Sequence, residues 1–266
     1  MTPEERTRLL TKVGVLRFDP KQARAPKGSA IGGRWVGDGT SSGGVKKLVG
    51  RLIGDAVEGH AAESETAAAF TEVMDGTYAG LRVRVQRVDV VHPGRAFVTA
   101  KASVLDEDGR KVGDITRTVG RDRDGRLFAL HELLELSPQV RGQGFATQFN
   151  GHLDDWYRES GVERIELLAN IDVGGYAWAR QGYDFKNGTV PDSVVERLRD
   201  ALDMRRWSDD ADVREAKDAL RRIEAGEHVS AYEISQIGRT HMIEGDDTWI
   251  GRDVMLGSDW DGVRWL

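Results

Sequence analysis

The sequence predicts an α+β fold: an antiparallel strand meander, then helix, strand, helix, strand, with a flexible N-terminal arm and a helical C-terminal extension. Three observations predict it. Between residues 81 and 136 four segments alternate apolar and polar residues, and two of their joins are Asp-Gly pairs, Asp108-Gly109 and Asp124-Gly125. From about 144 to 160 the period becomes helical, with Phe145, Phe149, Leu153 and Trp156 recurring four, four and three apart. Beyond residue 191 three helical patterns follow one another as far as Gly238.

The chain has 266 residues, 31% of them charged and 7% aromatic, enough for one large domain or a domain with appendages. It contains no Cys, which excludes a disulfide framework, a thiolate metal site and a cysteine nucleophile. No apolar run approaches the roughly 20 residues that a membrane-spanning helix needs. The opening MTPEERTRLL carries acid and lacks the apolar stretch of a secretory signal. The expectation is a cytoplasmic protein with no membrane contact and no metal.

Charge is uneven. Residues 1–54 hold eleven Lys/Arg against four Asp/Glu, +7 in a chain whose total is −6, so the remainder carries −13. A basic arm on an acidic body can touch nucleic acid or an acidic partner, or simply be a solvated leader. Residues 18–44, rich in Gly, Ser, Pro and Lys, show neither period and read as a linker or disordered arm. Within them GSAIGGRW echoes a phosphate-binding loop, but Arg34 and Trp35 stand where that loop needs Lys and Ser/Thr, and no strand precedes it.

A helix is expected at 45–57, with Val45, Leu48, Val49, Leu52, Ile53 and Ala56 on one face and Lys46, Lys47 and Arg51 opposite. Such a basic amphipathic helix can pack on the body, or meet a membrane or nucleic acid. A second helix, 61–75, stops at Gly76. Strands follow at 81–91, 96–105, 111–119 and 126–136. The helix at 144–160 ends at Gly161, a strand covers 164–169, and NIDVGGYAWARQGYDF reads as a short helix leading into a strand at Tyr183 to Lys186. In the tail, Asp192 or Ser193 caps a helix bearing Val194, Val195, Leu198 and Leu202. Another helix runs over 209–225, and SAYE at 230–233 is a capping box opening a helix that closes at Gly238. The last residues hold Trp249, Trp260 and Trp265, a density that marks a piece packed back on the body or a contact surface. The expected domains are therefore 1–44, a basic arm; 45–190, the α+β body; and 191–266, a helical extension.

The stretch LSPQVRGQGFATQF, 136–149, brings a strand through Arg141, Gly142, Gln143 and Gly144 into a helix. Two glycines allow positive φ and close approach to a ligand. The helix N-terminus adds unpaired donors and partial positive charge, and Arg141 adds a full charge, together a cradle for a pyrophosphate. Phe145, Ala146 and Thr147 supply no third glycine, so the dinucleotide fingerprint is missing.

Here the residues resemble a family. QVRGQGFA is similar to the Q/R-x-x-G-x-G/A signature of the GNAT superfamily, the acyl-CoA-dependent N-acyltransferases. LSPQVRGQGFA resembles that family's strand end and turn, RIELLAN its fifth strand, and GGYAWARQGYDF the helix that ends in Gly-aromatic before the sixth. The resemblance covers about 81–187.

The resemblance implies acyl transfer, most simply acetyl transfer from acetyl-CoA, to an amine. The backbone around Val140, Arg141, Gly142, Gln143, Gly144, Phe145 and Ala146 would hold the pyrophosphate of acyl-CoA. The strand end near Leu134 and Leu136 would part from strand 164–169 to take the pantetheine arm, with Asn170 bonding the cofactor. A base for the attacking amine comes in relatives from the strand that here offers His131, Glu132 and Glu135. By period two, Glu132 shares a side with Leu130, Leu134 and Leu136, while His131 and Glu135 take the other; a carboxylate among apolar neighbours is a stronger base. Many relatives place an acidic Tyr four residues before the Gly of the Gly-aromatic pair. That position is Trp178 here, which leaves three alternatives: Tyr176 substitutes as acid, transfer runs without that acid, or the site has lost catalysis.

Two readings stand. One is an N-acyltransferase acting on an unidentified amine. The other is a non-catalytic GNAT-like binding or structural module of a phage or mobile element, since FDPKQARAPKGSAIGGRWVGDG resembles segments of head-associated proteins of actinobacterial tailed phages. In either, the arm 1–54 can contact nucleic acid or a virion.

Overall fold

Thr66, Ala69, Phe70, Val73 and Met74 recur at the three- and four-residue spacing that puts one face of a helix in a core, and all five are buried. They lie on α1, Glu63–Met74, the first element of a computed structural model that describes residues 63–91, 97–169, 174–205, 210–241 and 248–266. The arm at 1–44, the helix expected at 45–57 and the start of the 61–75 helix lie outside the described residues. The described chain divides into two compact units, one reaching Arg164 and including Leu266, the other spanning Ile165–Trp265.

The first unit holds the expected meander. β1, Gly76–Tyr78, was not foreseen from the sequence; it is three residues long and turns into β2, Leu81–Val91, through Ala79 and Gly80, both at positive φ. β3, Phe97–Leu105, β4, Lys111–Arg121, and β5, Leu127–Leu136, follow in antiparallel succession. Val98, Ala100, Ala102 and Val104 alternate into the core from β3, and Ile115 and Val119 from β4.

The two Asp-Gly joins share one design. In DEDGR, 106–110, and DRDGR, 122–126, the N–H of the Gly donates to the carbonyl of the first Asp, and that Asp N–H donates to the carbonyl of the closing Arg. Gly109 and Gly125 have φ of 77° and 79°, so each loop is a three-residue type I turn closed by a left-handed glycine rather than a two-residue hairpin. The first Asp also accepts from the closing Arg N–H: Arg110 to Asp106 Oδ1 at 2.8 Å and Arg126 to Asp122 Oδ1 at 2.9 Å.

α2, Phe145–Glu159, buries Phe145, Phe149, Leu153, Trp156 and Tyr157. Phe70 meets Trp156 edge-on at 5.2 Å, Tyr78 meets Phe149 at 5.1 Å, and Phe145 stacks on Phe149 at 5.7 Å. These rings join α1, β1 and α2 into the core of the first unit.

The second unit begins with β6, Arg164–Ala169, whose first residue belongs to the other unit. α3, Gly174–Arg180, and β7, Asp184–Phe185, match the expected short helix and strand. Next come α4, Asp192–Met204, α5, Ala211–Glu224, α6, Ala231–Gln236, and α7, Ile250–Met255. The capping box is formed, with Glu233 N–H donating to Ser230 Oγ and Ser230 N–H to Glu233 Oε2. Arg197 closes the end of α7 by donating to the carbonyls of Val254 at 2.7 Å, Asp253 at 2.9 Å and Leu256.

The Trp-rich tail adds a strand after these helices: Trp260–Trp265 form β8, antiparallel to β7 and lying between β6 and β7 in strand order. The three tail tryptophans differ accordingly. Trp260 is buried edge-on against Phe185 at 5.1 Å, Trp249 is half-buried, and Trp265 is 58% exposed.

Asp184 anchors this corner. Its Oδ1 accepts from Phe185 N–H and Ala231 N–H, each at 2.9 Å, and its Oδ2 lies 3.0 Å from His228 Nε2. His228 Nδ1 meets the Gly188 carbonyl at 3.1 Å. The Gly188 carbonyl first, then the Asp184 carboxylate, raises the His228 pKa above its ordinary 6.5. Protonated His228 is thus favoured in the folded state, and its stabilising effect is complete below the ordinary value and is lost as pH rises through the raised one. Thermal melting followed from mildly acid to mildly alkaline pH should show this decline in the wild type and a flatter profile in His228→Gln.

Candidate functional site

β5 ends at Leu136, held to β4 by the bond from Ser137 N–H to the Val112 carbonyl, 2.8 Å. A single 3-10 turn, Pro138–Val140, follows, and Arg141 then returns to extended backbone at φ −69°, ψ 150°. Gly142 has φ 79° and Gly144 φ 88°, ψ −1°. In that left-handed region a side chain costs about 1–2 kcal/mol, which is why both positions are glycine.

Gly144 is the N-cap of α2 and has no side chain to cap it. The first helical bond is Gln148 N–H to the Gly144 carbonyl, 3.1 Å. The N–H groups of Gly142, Gln143, Gly144, Phe145, Ala146 and Thr147 make no hydrogen bond to a protein acceptor among the described residues. Consecutive donors at a helix N-terminus favour an anion.

The side chains here brace the turn. Arg141 Nε donates to the Leu136 carbonyl at 2.7 Å, and Gln143 Nε2 to the Gln139 carbonyl at 3.1 Å. Arg141 therefore bonds the strand end through Nε, and among the described residues no carboxylate pairs with its guanidinium. Phe145 and Leu136 are buried, Leu134, Val140 and Ala146 half-buried, and Gln143 exposed.

The facing of His131, Glu132, Leu134 and Glu135 departs from the period-two expectation. Thr116 pairs with Leu133 and Arg117 with His131, so Glu132 is an extra residue, a β-bulge. Before the bulge Leu127, Ala129 and His131 face the core; after it Leu134 and Leu136 do, paired with Ile115 and Gly113. Glu132 is exposed on the opposite face, together with Leu133 and Glu135, not beside Leu134 and Leu136. His131 lies with the core residues, 3% exposed, its ring 5.8 Å from that of Tyr157. The adjacent leucines of HELLEL, which no alternating strand should hold, were the signal for this shift.

A residue the sequence reading did not single out fastens the bulge. Arg117 is 1% exposed on the core face of β4. Its Nη1 donates to the Leu133 carbonyl at 2.6 Å and the Thr116 carbonyl at 2.9 Å, its Nη2 to Asn150 Oδ1 at 3.2 Å, and its guanidinium lies 5.6 Å from the Phe149 ring centre. Its place between Ile115 and Val119 in a period-two strand was the available signal. On the other face, Thr118 Oγ1 donates to Glu132 Oε1 at 2.6 Å and lies 2.7 Å from Thr99 Oγ1.

Leu134 to Ala146, with His131 and Glu132, thus sit together in the first unit. Tyr176 is in the second, on α3, with its ring edge-on to Trp249 at 5.9 Å. Burial raises its hydroxyl pKa, opposed by Arg180, Arg239 and Arg252. Trp178 packs edge-on against Tyr183 at 5.2 Å, and its carbonyl accepts from Tyr183 N–H past Gly182, whose φ is 84°. Asn170 lies outside the described residues. Among the described residues no three His, Cys, Asp or Glu are grouped to hold a metal ion, and no helix is long and apolar enough to cross a membrane.

No model of a protein family and no curated protein matches the sequence. Solved structures do show similarity. Arabidopsis thaliana Naa50 in complex with the bisubstrate analogue CoA-Ac-MVNAL is 16% identical over 32% of this chain and 58% of its own, with a TM-score of 0.29. Nourseothricin acetyltransferase is 17% identical over 47% of this chain and 81% of its own, also at 0.29. The GCN5-related glucosamine N-acetyltransferase region of a fungal multi-domain GH3 β-N-acetylglucosaminidase is 16% identical over 61% of this chain and 20% of that one, again at 0.29. The chain spans under two thirds of the first structure's length. With TM-scores below 0.5, these overlaps assign no residue of this chain a role.

Arg117→Met should cost on the order of 3 kcal/mol of stability, because the Leu133 carbonyl and Asn150 Oδ1 lose a charged donor. Urea unfolding of the variant against wild type measures this.

Proposed function

We propose that the chain is an acyl-CoA-dependent N-acyltransferase of the GNAT type, acting on an amine. The observation that carries this reading is the turn from Arg141 to Ala146, whose glycines and uncapped helix leave consecutive N–H donors beside the end of a bulged strand. A pyrophosphate matches those donors in charge and spacing. Acyl-CoA offers one, with the Arg141 guanidinium adding charge.

In this reading Leu134 and Leu136 border the path of the pantetheine arm and Val140 lines the approach. Acetyl-CoA is the simplest donor. The attacking amine must be neutral, so an acceptor that arrives as ammonium first gives one proton to water, and the carboxylate of Glu132 takes the second proton as the new C–N bond forms. The C–S bond breaks, its electron pair leaves on sulfur, and the thiolate takes up a proton from water. His131 is buried among core residues and serves the packing of β5 on α2. The acidic surplus of residues beyond 54 suits an acceptor that arrives as an ammonium ion. The basic arm 1–54 contacts nucleic acid or a virion in this proposal.

One feature favours the second reading, a non-catalytic module of a phage or mobile element. Trp178, at the position where relatives carry the acid Tyr, has no acidic proton, and its ring packs on Tyr183.

Calorimetric titration with acetyl-CoA separates the two. Wild type should bind, and Gly144→Asp should bind at least ~10-fold more weakly, about 1.4 kcal/mol, because a carboxylate then faces the phosphates. Asp tolerates positive φ better than most residues, so thermal melting should report a folded variant. With a panel of amines, thiol release should fall about 10²–10⁴-fold in Glu132→Gln. Binding without transfer would leave the scaffold reading; no binding would remove both the donor and the transferase.

A further inference from the structure

We propose that Thr118 and Thr99 are positioning residues for Glu132, forming a hydroxyl relay across three strands that holds one carboxylate oxygen and leaves the other for the substrate proton. The role of Glu132 as base rests on the acyltransferase reading; the relay rests on the hydrogen bonds.

Glu132 is an exposed side chain with several rotatable bonds, and among the described residues no cation forms an ion pair with it. Left alone, such a carboxylate samples many positions, and fixing it costs up to about 2 kcal/mol. Its partner has the opposite character. Thr118 is 4% exposed and β-branched, so its χ1 is stiff and its hydroxyl direction is set by the strand. The bond from Thr118 Oγ1 to Glu132 Oε1 is 2.6 Å, in the range of a hydroxyl donating to a carboxylate.

A hydroxyl has one proton. Thr118 gives its own to Glu132, so in the contact of 2.7 Å with Thr99 it must accept, and Thr99 must donate. The chain therefore runs Thr99 to Thr118 to Glu132, each donor polarising the next. The register explains why these three meet. Thr99 is directly opposite Thr118, and Thr118 is opposite Leu130, so Glu132 is the diagonal neighbour two residues on. The bulge at Glu132 keeps it on the face of Thr118 while Leu134, two residues later, has crossed to the core face. When Glu132 is protonated the chain can reverse, with its O–H donating to Thr118 and Thr118 to Thr99. The relay thus supports Glu132 before and after proton transfer.

The test uses the full chain with Thr118→Val, which keeps shape and β-branching, and Thr118→Ser, which keeps the hydroxyl. Side-chain NMR relaxation of Glu132, read without substrate, should show an ordered carboxylate arm in wild type and Thr118→Ser and a mobile one in Thr118→Val. In acetyl-CoA turnover with an accepted amine, Thr118→Val should lower kcat about tenfold with KM for acetyl-CoA unchanged. Thr118→Ser should restore kcat, and the valine effect should vanish in a Glu132→Gln background. Equal Glu132 order in wild type and Thr118→Val overturns the proposal, as does a kcat loss that persists in Glu132→Gln. A wild type that shows an ordered Glu132 but no turnover with any acyl-CoA would overturn the transferase reading and leave the relay standing.

Discussion

The buried guanidinium of Arg117 is the constraint on which the geometry of the first unit depends. A charge 99% removed from water needs hydrogen-bond partners, and here its Nη groups reach them on separate elements: backbone carbonyls of β4 and β5 and the Asn150 side chain of α2. The Leu133 carbonyl is reachable because the strand bulges at Glu132. The bulge, the arginine and the helix are therefore one feature. Shift the register of β5 by one residue and the guanidinium loses its carbonyl, the helix loses its tie, and the core residues of the strand turn outward.

That coupling joins two features that look independent in the sequence. The donor-rich turn belongs to the end of β5 and the start of α2, and Asn150 sits within two turns of that start. Contrast α6, where Ser230 and Glu233 satisfy the first-turn donors with side chains. A fold that can close a helix with a capping box has left α2 closed by glycine alone. The bonds from Arg141 and Gln143 back to Leu136 and Gln139 hold the loop in shape without consuming those donors.

Much of the fold was legible because it rests on periodicity and punctuation. The meander, α2 with its buried Phe145, Phe149, Leu153 and Trp156, and the Ser230 capping box follow from spacing and residue type alone. β1 was not legible because three residues carry no period. β8 was missed because WDGVRW, with Gly262 in its middle, has no clean alternation and its tryptophans suggested mere packing. At the site, the turn was readable from its glycines. The facing of Glu132 was not read, because a bulge is a property of two strands: the adjacent leucines of HELLEL signal a break in alternation, and the partner register places it. Arg117 was overlooked because an arginine in a strand is ordinarily assigned to solvent, although its position between Ile115 and Val119 said otherwise.

The placement of β8 has a kinetic consequence. β7 is two residues long and reaches its sheet through β8, and β8 in turn lies beside β6, nearly a hundred positions earlier in the chain. The second unit must therefore close a very long loop before its strands can zip, whereas the meander of the first unit joins only sequence neighbours. On a ribosome the meander can set while the second unit waits, its β6 edge open, until residues near 260 emerge. Loss of the β8 segment would be felt as exposure of that edge to other chains.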